Sequence, residues 1–483
     1  MEKSEKVIGN FLWRLLERFG AQGVTLIVSI VLARLLNPTV YGTIALVTVF
    51  TQILHVFIDS GLGTALIQKK DADDLDFSSV FFFNLAMCLF LYALLFFGAP
   101  LIARFYELPE LTGVIRVLGL TLVISGVKNI QQAYVSRHML FKKFFFSTLG
   151  GTIGAAAVGI TLAILGYGVW ALVWQYIFNA AIDTLVLWFT VKWRPKFMFS
   201  WKRLKTLLGF GSKLLGVSLL STLYNNIRSL IIGKLYTTEN LAFYNKGKQF
   251  PSLFDSNINS SIDSILLPTM SKEQDDIASV KRITRRSIKT STFIMAPLLI
   301  GLAVCGKSLI GLVLTEKWLP CVPFMAIFCI TYIFTPMFTA NYNAYKALGR
   351  SDVYLKVSLI TKPIGLAILL ATMPFGVMAI AYGMLVSNFL SQLVCTFPNR
   401  KLLKYGYLEQ IKDLLPQLLM AAFMGAAVYA VNFLHLQDWL TLLIQIPLGV
   451  FVYILGSHIF KLESYQYVLS ALKRFLQKRS TSK

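Results

Sequence analysis

Ionisable and amide side chains interrupt long apolar runs at a few places in this chain, and those places carry its candidate chemistry. Arg14, Glu17 and Arg18 stand together in the first run. On a helix Arg14 and Arg18 are one turn apart, and Glu17 can pair with Arg14 across three residues. Lys128 and Arg137 lie beside the polar stretch Asn129-Ile130-Gln131-Gln132, and Lys213, Arg228 and Lys362 interrupt later runs. A guanidinium offers two parallel donors that match a phosphate edge. These cations therefore suit an anion clamp, with Glu17 as a neutralising or coupling carboxylate. Interfacial snorkelling, in which a long side chain carries its charge out to water, is the alternative. It weighs most for Arg34, Lys234 and Lys213 near the run ends.

His55 and Asp59 are also one turn apart. An imidazole beside a carboxylate can carry a proton or a cation, or simply fix helix packing. Their spacing also fits the His-x-x-x-Asp box of acyltransferases, a match any helical turn would give. No P-loop lysine motif, GxSxG elbow, HExxH helix or Cys/His metal spacing occurs, so neither a cofactor nor a metal is expected and nothing points to ATP hydrolysis.

The elements that must hold these residues follow from composition. Of 483 residues, 56% are hydrophobic and 14% charged, with a net charge of +23. An ordinary soluble domain has roughly 45–50% apolar and about 25% charged residues. Such a chain is not disordered, not a disulfide scaffold and not a soluble enzyme. A nucleic-acid binder needs a charge-rich soluble face that these apolar runs exclude. The five cysteines sit in or beside apolar stretches without CxxC pairs and read as small buried hydrophobes. The charged N-terminus and the long run from Phe19 read as a span rather than a cleavable signal.

A helix needs about 20 mostly apolar residues to cross a bilayer. Fourteen segments qualify: 11–34, 40–66, 78–103, 111–135, 146–165, 168–191, 206–233, 243–268, 288–314, 320–345, 353–373, 375–397, 414–434 and 438–460. The fold class is thus an all-α polytopic membrane protein of about fourteen transmembrane helices. Segment 243–268 is the most polar. With the N-terminus inside, most of the 46 Lys and Arg fall on the inner side, as the positive-inside rule requires. Both termini are then cytoplasmic, and the basic face suits anionic membrane lipids. The outer loops are short and leave no room for an extracytoplasmic catalytic domain.

The chain also repeats itself weakly at an offset of 200. Between 33–80 and its copy, Leu35, Phe50, Ile58, Ser60, Leu66, Asp76, Ser79 and Val80 recur. Arg18, Gln22, Thr25 and Ser29 share one helical face, and their counterparts Ser218, Thr222, Asn225 and Ser229 are all polar. Gln52, His55 and Asp59 likewise correspond to Ser252, Asp255 and Asn259. An even number of spans separates the copies, which makes a parallel repeat about an axis along the membrane normal. Polar faces are costly in lipid, so the stripes should line a water-filled cavity; packing through small polar residues is the alternative. The expected organisation is an N-lobe 1–191, a basic linker 192–205, a C-lobe 206–397, a second linker 398–413, two further spans in 414–460 and a basic tail 461–483.

Two sequence runs carry a family resemblance. Leu35-Leu36-Asn37-Pro38-Thr39-Val40-Tyr41-Gly42 and Phe57-Ile58-Asp59-Ser60-Gly61-Leu62-Gly63-Thr64-Ala65-Leu66-Ile67 resemble the first two spans of bacterial polysaccharide flippases. These belong to the multidrug/oligosaccharidyl-lipid/polysaccharide (MOP) exporter superfamily. Leu241-Ala242-Phe243-Tyr244-Asn245-Lys246, Leu267-Pro268-Thr269-Met270-Ser271 and Ala347-Leu348-Gly349-Arg350 resemble the second-lobe counterparts. The likeness is greatest to the branch of colanic acid and teichuronic acid exopolysaccharide exporters.

The resemblance implies a V-shaped pair of six-helix lobes plus two C-terminal helices around a cationic cavity, in the bacterial inner membrane. It implies a polyprenyl-pyrophosphate-linked oligosaccharide as substrate, moved between leaflets by alternating access. A proton or sodium gradient would drive it, and polysaccharide synthesis and polymerisation machinery would be its partners. Arg14, Arg18, Lys128, Arg137, Lys213, Arg228 and Lys362 would meet the pyrophosphate. Gln22, Thr25, Ser29, Gln52, Ser218, Thr222, Asn225, Ser252 and Asn259 would line the cavity. Glu17, His55, Asp59 and Asp255 would serve ion coupling. A lipid II flippase and a multidrug exporter of the same superfamily are the alternatives.

Overall fold

A computed structural model describes residues 20–59 and 61–480; the side chains of Asp59, Phe141, Phe210, Ala471, Leu472 and 474–480 are outside the described set. Arg14, Glu17, Arg18 and the Asp59 side chain therefore lie outside the described residues.

The described residues form helices joined by short turns, with no strand among them. In lipid, a helix satisfies every backbone group within its own segment. In chain order they are α1 (Gly20–Leu35), α2 (Pro38–Asp59), α3 (Leu62–Gln68), α4 (Asp74–Tyr106), α5 (Leu111–Leu118), α6 (Leu120–Arg137), α7 (Phe141–Ile164), α8 (Val169–Thr190) and α9 (Trp201–Leu235). Then come α10 (Thr238–Lys272), α11 (Ile277–Val304), α12 (Gly306–Leu314), α13 (Val322–Ile333), α14 (Thr335–Ala347), α15 (Ser351–Thr372), α16 (Val377–Thr396), α17 (Asn399–Leu402), α18 (Tyr407–Ala430), α19 (Asp438–Ile459) and α20 (Glu463–Ser480).

Among the described residues, eleven helical segments are long and apolar enough to cross a membrane, or up to twelve if the bent α9 counts as one span. This is fewer than the fourteen expected. The described part of α1 is short, and α10 carries Asn, Ser, Asp and Lys along its length. The protein is a multi-pass membrane protein.

The offset of 200 reappears in the helix ends. The turn between α1 and α2 occupies the residues after Leu35 and before Pro38; that between α9 and α10 follows Leu235 and precedes Thr238. The register slips further on. Asp73 caps α4, with Asp76 at its third position, whereas Asp276 itself caps α11. The sequence matches Asp76–Asp276 and Ser79–Ser279 therefore do not fall at equivalent helix positions.

The chain packs as two compact units, Met1–Ala242 and Phe243–Lys483. In the first, α7 lies along α8, and α9 packs against α2, α3 and α4. This packing boundary falls later than the lobe boundary drawn from the repeat. One cause is visible in segment 191–200, which is not helical. Its Lys196 and Ser200 amides donate to the Ser78 and Ser79 hydroxyls at 3.0 and 2.9 Å. Lys196 Nζ and Trp193 Nε1 reach Asp74 at 2.6 and 3.1 Å, and Arg203 grips both Asp73 oxygens at 2.6 Å. The segment is a strap fastened to the α4 N-terminus.

The Arg203 guanidinium holds the Asp73 carboxyl down to about 2, with help from the Asp76 amide. A carboxylate lowered in the folded state stabilises the protein above its unfolded value and loses that contribution as pH falls through the folded one. Detergent-solubilised protein should therefore lose thermal stability between about pH 4 and pH 2, and Asp73→Asn should flatten that limb. An Asp73→Asn profile superimposable on wild type would remove the strap from the acid response.

In the second unit, α10 and α14 are joined by amides and carboxylates. Asn259 donates to Asp255 at 2.6 Å and accepts from Thr339 at 3.2 Å, while Asn343 donates to Asp263 at 2.7 Å. In the same unit, Arg285 of α11 reaches Asp413 of α18 at 2.6 Å, and Tyr405 donates to the same carboxylate at 2.8 Å. Helix α20 packs on α11, with Lys289 paired to Glu463 and Arg286 stacked 4.7 Å from the Tyr467 ring.

Candidate functional site: a polar cavity between α2 and α9

Within the first unit, α2 and α9 enclose a cavity of about 430 Å³. Gln52, His55 and Val56 line it from α2; Ser218, Thr222, Asn225 and Asn226 line it from α9. Residues spaced three and four apart share a helical face, so each helix presents one coherent stripe. The lining is amides, hydroxyls, an imidazole and one valine. Gln52 and Asn225 are exposed, which keeps the cavity wet. Asn226 donates to the Thr222 carbonyl at 3.0 Å. Neutral donors and acceptors at this density suit the hydroxyls of a sugar.

Below this face, helix α2 ends where its chain turns sharply. Gly61 has φ +99°, and a Cβ on it would lie 2.3 Å from the Gly211 Cα. Gly211 stands at the 47° bend between Trp201–Gly209 and Gly211–Leu235. The α2 break and the α9 bend thus meet backbone to backbone. Asn129 of α6 donates to the Ile58 carbonyl at 2.5 Å, satisfying an end group of α2.

The expected site residues fall into three groups. Gln52, His55, Ser218, Thr222 and Asn225 come together in the cavity. Arg228 lies one turn beyond Asn225 on α9, 8% exposed, with its guanidinium 5.6 Å from the Tyr224 ring. No carboxylate among the described residues pairs with it. Lys213 lies on the same helix and is exposed.

Others are occupied elsewhere. Arg137 donates to the carbonyls of Leu66, Lys69 and Lys70 at 2.7, 2.5 and 2.7 Å, closing the end of α3. Lys128 is paired with Asp183 at 2.9 Å. Ser252 donates to the Gln249 carbonyl of its own helix at 2.8 Å. Asp255 and Asn259 belong to the α10–α14 junction, and Lys362 is exposed on α15. Gln22, Thr25 and Ser29 lie on α1 and are not among the cavity's lining residues.

Two functional candidates escaped the sequence reading. Asn226 adjoins the expected stripe. Asp183 is a lone carboxylate in the apolar run of α8, and that isolation was itself the signal.

The second unit holds a cleft of opposite character, about 580 Å³, walled by Phe293, Pro297, Leu298, Met424, Ile446 and Val450. Its one amide, Gln445, donates inward to the Val428 carbonyl at 3.2 Å and to Asn432 at 3.0 Å.

These helices and the cavity define a polytopic all-α transporter fold. The fold is that of solved MOP-superfamily proteins. The lipid II flippase MurJ, in an inward closed conformation, superposes with a TM-score of 0.78 at 16% identity, covering 95% of this chain and 100% of that one. An inward-facing multidrug resistance MATE family transporter gives 0.63 at 14% identity, covering 79% and 94%. The chain belongs to the polysaccharide biosynthesis protein family, whose model matches residues 31–323. Among similar proteins are the teichuronic acid biosynthesis protein TuaB of Bacillus subtilis, 25% identical over 84% of this chain and 85% of that protein. The succinoglycan biosynthesis transport protein ExoT of Rhizobium meliloti is 24% identical over 70% and 68%. The lipopolysaccharide biosynthesis protein WzxC of Escherichia coli is 22% identical over 82% and 81%. The resemblance noted in the sequence holds.

Proposed function

We propose that this protein is a flippase, not an enzyme. It moves polyprenyl-pyrophosphate-linked polysaccharide repeat units from the inner to the outer leaflet of the bacterial cytoplasmic membrane, with both termini in the cytoplasm. The observation that carries this reading is the neutral, wet cavity between α2 and α9, built where an apolar contact would serve a purely structural protein. Sugar hydroxyls would exchange water for the amides and hydroxyls there, and Arg228 would meet the pyrophosphate as a bidentate partner. The apolar cleft of the second unit is a surface of the kind a polyprenyl chain requires. Family membership and similarity to the teichuronic acid, succinoglycan and lipopolysaccharide proteins TuaB, ExoT and WzxC support a surface-polysaccharide substrate. The fold supports alternating access, with an ion gradient as its energy source. Polysaccharide synthesis and polymerisation machinery would supply and consume the substrate.

The test is transbilayer movement of a fluorescent polyprenyl-pyrophosphate oligosaccharide in proteoliposomes, run beside lipid II and a cationic drug. Wild type should move the oligosaccharide in preference to both. Thr222→Val with Asn225→Leu should slow it by about thirtyfold, two lost hydrogen bonds at roughly 1 kcal/mol each. Preference for lipid II or for the drug would replace this reading with another transporter of the superfamily.

A further inference from the structure

Helices α6, α7 and α8 converge on one carboxylate that the cavity does not contain. Asp183 of α8 is 7% exposed. Its Oδ2 accepts from Lys128 Nζ of α6 at 2.9 Å. The Ser147 hydroxyl of α7 bonds both its Oδ1 and its main-chain carbonyl, the latter at 3.0 Å. Gly151 backs it so closely that a Cβ there would stand 3.2 Å from the Asp183 Cβ. An ion pair at such depth in a membrane protein is expensive, and small residues could join three helices without it. Ionisable residues inside a membrane mark ion paths unless something else explains them.

The pair is not isolated from the cavity. His55 lines the cavity on α2, and α6, which carries Lys128, packs directly against α2. Helix α8 is packed by α2, α5, α6 and α7. From α2 the described titratable groups are His55 and Tyr41, the latter beside Tyr176 of α8. Arg116 of α5 is committed to the Phe96 carbonyl at 3.1 Å. From α6, Arg137 is spent on the end of α3. Lys143 of α7 donates to the Thr190 carbonyl at 2.5 Å, and Lys142 lies 5.9 Å from the Phe146 ring. Among described residues, that leaves Lys128 and His55 as the basic groups that can answer a change at Asp183.

We propose that Lys128 and Asp183 form an exchange pair: Asp183 holds Lys128 while the cavity is empty, and takes up a proton when an anionic headgroup draws Lys128 away. This rests on the flippase reading and adds a proton site distinct from His55, Asp59 and Asp255; a proton that travels with the headgroup offsets part of its charge rather than drawing on an inward proton gradient. The balance is simple. The headgroup gains the ammonium as counter-ion, the carboxylate becomes a carboxylic acid, and the proton comes from the water reaching the cavity. On release of the headgroup the ammonium returns and the proton leaves. Binding of the substrate anion and binding of a proton are thereby linked.

The experiment uses the full chain in weakly buffered detergent with a pH indicator and polyprenyl pyrophosphate, without sugar, as the probe. Wild type should take up a single proton per probe bound. Asp183→Asn should bind the probe without proton uptake; its amide oxygen can still accept from Lys128 while its NH2 donates to the Ser147 hydroxyl. Lys128→Gln should lose the uptake and weaken binding on the order of tenfold. Should the stranded carboxylate prevent that variant from folding, Lys128→Gln with Asp183→Asn removes both charges and should show the same weak, proton-free binding. Equal proton uptake by Asp183→Asn overturns the exchange pair, as does probe binding by wild type with no uptake or with sodium dependence alone. In those cases the flippase reading stands. No binding by wild type overturns both.

Discussion

Arg228→Ala should reduce transport of a pyrophosphate-linked glycan by about a hundredfold, the equivalent of roughly 3 kcal/mol, while the protein remains folded and inserted. Arg228 is 8% exposed on α9, with an aromatic ring for company and no carboxylate pairing with it among the described residues. A buried guanidinium without a counter-ion is unfavourable on its own. It becomes favourable when a dianionic group arrives, so the cost of burial is recovered only in the loaded state. Arg228→Lys should recover part of the activity, since the charge stays and the planar fork is lost. The measurement is initial rate in proteoliposomes, with thermal unfolding in detergent as the control. A wild-type rate for Arg228→Ala would move Arg228 from the substrate path to helix packing.

Gly61→Val should lower stability on the order of 3 kcal/mol and sharply reduce the yield of folded protein. Two independent causes add here. The φ of +99° is open to glycine and strained for a side chain. The Cβ would also fall 2.3 Å from one Gly211 atom and 2.5 Å from its carbonyl oxygen, and backbone cannot swing aside as a side chain can. Gly63→Ala is the internal control, because its Cβ would meet the Asn129 side-chain oxygen at 3.4 Å, a contact that small adjustment accommodates. Comparable losses for both substitutions, by thermal unfolding in detergent, would show that the segment tolerates no added volume anywhere. The specific role of the Gly61–Gly211 approach would then be gone.

Much of the site was legible because helical faces are local. Gln52 and His55, and Ser218, Thr222 and Asn225, are spaced by three and four, so sequence alone put each set on one face. The offset of 200 was also legible, and it recurs in the paired turns after Leu35 and Leu235. What sequence could not give was the partner of each polar face. Ser252, Asp255 and Asn259 show the same spacing as the α2 stripe, yet Asp255 and Asn259 join the hydrogen bonds between α10 and α14. Arg137 has the composition of an anion ligand and spends its donors on three carbonyls more than sixty residues away.

The sequence by itself determined that this chain spans a membrane many times, that its first helix pair recurs, and which sides of those helices are polar. Each follows from composition or from a period within about twenty residues. Tertiary structure alone decided which cation is already neutralised and which is not. Lys128 and Asp183 are 55 positions apart, and Gly61 and Gly211 are farther still. A charge's chemistry depends on what lies within a few ångströms of it, and that is a property of packing that no local pattern encodes.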